Sequence, residues 1–114
     1  MGAPDQERRQ LREAVQRQPS DFIAWVMLAD AELEAGDVAR GAAAATQALQ
    51  LRDDHPEALA RLGRARWMQG QPGHAAVLLR RAAEQVPQHP GIALWLGHAL
   101  EDAGQPEAAA DAYR

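Results

Sequence analysis

Leu62-Gly63-Arg64-Ala65-Arg66-Trp67-Met68-Gln69-Gly70 returns 34 residues later as Leu96-Gly97-His98-Ala99-Leu100-Glu101-Asp102-Ala103-Gly104. It stands 34 residues earlier as Leu28-Ala29-Asp30-Ala31-Glu32-Leu33-Glu34-Ala35-Gly36. Leucine and terminal glycine keep step in all three copies. Outside the quoted stretch, Ala48 is followed at the same interval by Ala82, and Pro19 and Pro87 sit two periods apart. A helix-turn-helix unit of this period cannot bury its apolar face alone, so successive copies must stack and share a continuous core. Stacking of that kind creates a surface rather than a pocket.

Working outward from the leucines, residues 22–55 and 56–89 form two full units, and residues 90–114 a third, shortened one. Leu11, Ala14 and Pro19 correspond to Leu79, Ala82 and Pro87, so residues 5–21 read as the second helix of an incomplete preceding unit. No linker-like stretch divides residues 1–114, which read as one domain. Pro56, Pro72, Pro90 and Pro106 suit the first position of a helix, where a missing N–H costs nothing. Asp21 and Asp37 are natural N-caps, and Ser20 beside Asp21 suggests a capping role too. Gly36, Gly70 and Gly104 end the first helix of each unit, where the chain must turn through a left-handed conformation. Helices are expected at about 5–18, 21–35, 38–51, 56–69, 72–86, 90–103 and 106–114. Ala29, Gly63 and Gly97 on the first helices face Gly41, Ala75 and Ala109 on the second, allowing each pair to approach more closely than the usual ~8–10 Å. Trp25, Leu28, Leu59, Leu62, Leu79, Leu96 and Tyr113 then fill the space at helical spacing.

Composition excludes several functions. The formal net charge of −4 leaves no broad basic field for nucleic acid or an anionic membrane. All basic residues other than histidine are Arg, and Lys and Asn are absent, a bias that fits a GC-rich bacterial genome. With no Cys there are no disulfides or thiolate metal sites. No window approaches the ~18 apolar residues of a membrane span, and Met1 to Arg9 lacks an apolar signal core, so a cytoplasmic location is the expectation.

These offsets resemble the tetratricopeptide repeat: Trp25 with Leu28-Ala29, Leu62-Gly63, Leu96-Gly97, the three turn glycines, Ala48, Ala82, Tyr113 and Pro87 follow its pattern. Glu32 and Arg66 stand where that pattern has an aromatic Tyr, and Asp53 replaces a Pro. The resemblance implies an all-α, right-handed solenoid of antiparallel helix pairs, about seven helices in all, serving protein recognition. Over residues 11–114, above all Pro90 to Gly104, the chain is also similar to the N-terminal repeats of bacterial homologues of O-linked N-acetylglucosamine transferase. That similarity implies a glycosyltransferase region using a UDP-sugar after the repeats in a parent protein. The Asn residues that hold substrate backbone in that family have no counterpart here.

Catalysis would require a nucleophile or an acid–base pair in a shaped site, and one Ser, one Thr and no Cys assemble no triad. No cofactor is implied. His55 and His89 occupy equivalent positions in adjacent units, about a helix spacing or more apart, too far for both to reach within ~2.1 Å of one ion. His74 and His98 lack a partner at helical spacing, so no metal site is expected. The turn glycines follow helices, not a strand, and are no phosphate loop.

The informative surface is the inner face of the first helices. Counting by three and four places Ile23, Val26, Met27, Asp30, Leu33 and Glu34 there, then Glu57, Ala60, Arg61, Arg64, Trp67 and Met68, then Leu94, Trp95, His98, Glu101 and Asp102. Val26, Asp30, Leu33, Arg61, Arg64, Trp67, Trp95 and His98 are the expected partner-binding residues. Trp67 and Trp95 would serve as aromatic anchors for a peptide or protein, with packing between helices as the competing role. Arg61 and Arg64 would select acidic groups, or else pair with Asp30, Glu34, Glu101 or Asp102. The expected function is a binding module; a self-assembling homo-oligomer is the alternative, suggested by apolar faces at both ends of the repeat array.

Overall fold

The computed structural model describes residues 3–114. It contains seven helices: α1 (Ala3–Arg17), α2 (Phe22–Glu34), α3 (Val38–Leu51), α4 (Pro56–Met68), α5 (Pro72–Gln85), α6 (Pro90–Asp102) and α7 (Pro106–Tyr113), each within two residues of its expected bounds. No strand occurs among the described residues. No helix there is long and apolar enough to cross a membrane. The radius of gyration of 14.1 Å slightly exceeds the ~13 Å of a compact chain of this length, as a solenoid requires.

Local chemistry starts and stops the helices. The Asp21 carboxylate accepts the Ala24 N–H at 3.1 Å, and Asp37 accepts that of Arg40 at 3.2 Å. Asp21 alone supplies the side-chain cap of α2, so Ser20 does not take the role its position suggested. Two caps were not foreseen: Nδ1 of His55 accepts from the Glu57 N–H and Nδ1 of His89 from that of Ile92, each at 3.2 Å. The imidazoles are helix starters, assisted by Pro56 and Pro90 at the first helical position.

Gly70 turns the chain between α4 and α5 at φ +77°, with open space where a Cβ would go. Its requirement is therefore purely conformational. Gly70→Val is expected to destabilise by about 1 kcal/mol or more, since a β-branched residue is poorly accommodated at positive φ. An unchanged urea midpoint would refute this.

Consecutive helices pack on one another, and α2 also touches α4, and α4 touches α6. The intervening helices α3 and α5 make no comparable approach. Curvature therefore places α2, α4 and α6 on the inner, concave side. Helix pairs close where one partner has no side chain: a Cβ on Gly63 would stand 2.7 Å from Leu79 Cγ, and one on Gly41 would stand 2.6 Å from Leu33 Cγ. Leu33, Leu59, Leu79 and Leu100 are fully enclosed in the core.

The first unit contains a charged group inside its packing. Glu32, only 1% exposed, accepts from Arg12 Nε at 2.8 Å and from Arg8 Nη1 at 3.1 Å. Arg12 Nη2 adds a third bond at 2.9 Å. This fork fastens α1 to α2, the only helix on which α1 packs.

Candidate functional site

The concave face presents a cleft of about 210 Å³ lined by Asp30 and Glu34 of α2, Ala60, Arg61 and Arg64 of α4, and His89, Gly91, Ile92 and Trp95 around the start of α6. Four of the expected binding residues thus meet: Asp30, Arg61, Arg64 and Trp95. Helical spacing explains this, since residues three or four apart on one face project together and the solenoid lays three such faces side by side.

Arg61 is committed within the fold. Its Nε and Nη2 grip the two Asp30 oxygens at 3.0 and 2.9 Å, and Nη1 bonds Glu57. The expected offer of Arg61 to a partner carboxylate is therefore corrected: its fork is already satisfied by two carboxylates, as a bidentate pair favours. Arg64 differs. Its guanidinium lies over the Trp95 ring, 4.9 Å from the centroid. It reaches Asp30 only at 4.0 Å, and its Nε is buried with no hydrogen-bond partner among the described residues. Cation–π contact holds the charge without using its N–H donors.

Beside this cleft lies an aromatic shelf. Trp67 and Trp95 meet edge to face with centroids 5.1 Å apart, and His98 lies 5.9 Å from Trp95. Trp67 Nε1 donates to Asp102 at 2.7 Å, joining α4 to α6. Both tryptophans are half-buried, so packing between inner helices accounts for part of their surface. His98 Nδ1 lies 2.9 Å from the Tyr113 hydroxyl. That hydroxyl donates to Glu101, so its single proton is used and the His98 nitrogen is the donor. Partial desolvation and then the bond to Glu101 push the Tyr113 phenol up to about 12, so it stays protonated.

Two expected contacts are corrected. Leu33 is 2% exposed because Gly41 leaves room for it between α2 and α3. Its counterpart Trp67 belongs to a unit with Ala75 in the place of Gly41, and it lies out against Trp95 of α6. Val26, 9% exposed, packs with Phe22, Ala48 and Ala58 and is the floor of the cleft beside Ile23 and Met27, not an exposed anchor. Apolar exposure on this face belongs instead to Ile23 (65%), Met27 (49%) and Leu94 (48%). Helical spacing put all three on the inner side; only packing showed which remained open.

The family model of the tetratricopeptide repeat matches residues 8–56, 26–90 and 60–114. Comparison with curated proteins finds no match. Among solved structures, one of the MamA protein is similar with a TM-score of 0.84 and 19% identity, over 98% of this chain and 61% of that one. A second MamA structure has a TM-score of 0.82 at 19% identity, over 99% of this chain and 71% of that one. A MamA double mutant reaches 23% identity with a TM-score of 0.84, over 97% of this chain and 62% of that one. The chain thus spans about three fifths of the first of these, and the shared property is the fold.

Proposed function

We propose, on the premise that this chain belongs to the tetratricopeptide-repeat family, that its concave face holds a peptide or an exposed segment of a partner protein. The repeat itself is a non-catalytic interaction scaffold. The observation carrying the reading is that Ile23, Met27 and Leu94, which helical spacing assigns to the inner face, are exposed, on the same helices that carry the Arg64–Trp95 stack and the Trp67 shelf. Exposed apolar anchors next to preorganised donors are what an interface core needs.

Selection of binders from a random peptide library on the whole chain tests this. Met27→Asp should weaken the selected peptides by about tenfold or more, the ratio for ~1.4 kcal/mol. Val77→Asp, at an exposed site on α5 away from the concave face, should leave them unchanged. The opposite pattern would move recognition to the outer surface.

Self-assembly is the second reading, favoured by the same open apolar stripe at Ile23 and Met27. Equilibrium sedimentation giving only a 12.4 kDa species at high protein concentration would dismiss it. Attachment to a UDP-sugar glycosyltransferase rests on the resemblance noted over residues 11–114 alone, and no curated protein matches the chain. A parent reading frame without such a region would reject it.

A further inference from the structure

Two adjoining clefts on the concave face differ in chemistry. One, of about 340 Å³, is walled by Phe22, Ile23 and Met27 over a floor of Val26, with Arg52, His55 and Glu57 at its edge. The other is the cleft of Asp30, Glu34, Arg61, Arg64 and Trp95. Passing from Ile23 and Met27 to Asp30 and Glu34 follows α2 for about seven residues, a rise of ~10 Å. An extended peptide covers that distance in about three residues.

Charge decides what should stand at the second position. Three carboxylates, Asp30, Glu34 and Glu57, and three guanidiniums, Arg52, Arg61 and Arg64, line these clefts, but Arg52 lies over the Phe22 ring in the apolar one. Arg61 is fully occupied by Asp30 and Glu57, which leaves Glu34 exposed. Glu34 makes no ion pair among the described residues. It closes α2, whose last turn has no basic residue, so the negative end of the helix dipole adds to its field. A further carboxylate beside Glu34 would face that uncompensated charge. Arg64 lies over the Trp95 ring and its unpartnered Nε is buried, so it offers that atom to no incoming group.

We infer, granting that the concave face is the binding surface, that its occupant is an extended segment with an apolar side chain in the Ile23–Met27 cleft and a Lys or Arg about three residues away, beside Glu34. Partner choice then rests on two side chains of α2: Met27 holds the apolar residue, and Glu34 selects the sign of the charge.

The test uses short labelled peptides in a Gly-Ser background, carrying either Leu-Ser-Gly-Lys or Leu-Ser-Gly-Glu, with binding to the whole chain read by fluorescence anisotropy. The Lys peptide should bind about fivefold tighter than the Glu peptide, the ratio given by an exposed ion pair of ~1 kcal/mol. Glu34→Lys, a change at an exposed position, should reverse that order, and Met27→Asp should weaken both peptides. Equal or tighter binding of the Glu peptide, or a preference that Glu34→Lys leaves unchanged, overturns the cationic assignment. If Met27→Asp still weakens binding in that case, the groove reading stands. Binding of neither peptide, or binding indifferent to Met27→Asp, overturns both.

Discussion

Leu79→Ala will lower the free energy of unfolding by about 2–5 kcal/mol, the range for truncating an enclosed leucine. Leu79 has no exposed surface and sits where Gly63 lets α4 and α5 close together. Relaxation will not fill the vacancy, because Gly63 contributes no side chain and Ala75 beside it only a methyl. The reciprocal change, Gly63→Ala, places a Cβ 2.7 Å from Leu79 Cγ and should cost about 1–3 kcal/mol as overpacking. Each variant alone should lower the urea midpoint, while the double variant should lose less than the sum, because the new methyl occupies part of the space the leucine leaves. Strict additivity would mean that the two positions do not share one cavity.

Glu32→Gln will be the second large effect, about 3 kcal/mol at neutral pH, at the low end for breaking a buried ionic group. The low end applies because both arginine partners keep some access to water, with side chains 21% and 36% exposed. Burial by itself would raise the Glu32 pKa, but the bonds from Arg12 and Arg8 outweigh it and hold the carboxyl below its ordinary value of 4.5. A depressed folded-state pKa contributes stability that is present above the unfolded value and lost as pH falls through the folded one. Wild type and Glu32→Gln should therefore differ most above pH 4.5 and converge in more acidic solution. Chemical denaturation across that range measures it, and hydrogen exchange should show the amides of α1 losing protection first. A constant difference down to strongly acidic pH would show that size or shape, not charge, made Glu32 matter.

How much of this was legible in the sequence varies from residue to residue. The helix count and the turns at Gly36, Gly70 and Gly104 could be read directly, because they depend on residues within one or two turns of each other and recur at a fixed interval. The inner face could be read as well, since helical spacing alone assigns it. The fate of equivalent positions could not. Leu33, Trp67 and Glu101 share one place in the repeat, yet the first is buried, the second forms a half-buried shelf and the third is exposed. The visible signal was Gly41 in the place of Ala75, and its consequence needed the distance between α2 and α3.

Sequence by itself determined that this chain is a stack of helix pairs with a concave face of mixed apolar and charged character. Propensity, capping and periodicity are local quantities, and repetition makes them agree with one another. Only the tertiary structure decided which charges are free. Arg61 is spent on Asp30, 31 residues away, and Glu32 on Arg12 and Arg8, 20 and 24 residues away, while among the described residues Arg64 reaches Asp30 only at 4.0 Å and Glu34 makes no ion pair. The reason is physical: an ion pair forms where side chains meet within hydrogen-bond reach, and that is fixed by how helices stack and by the volumes between them, which no single repeat contains.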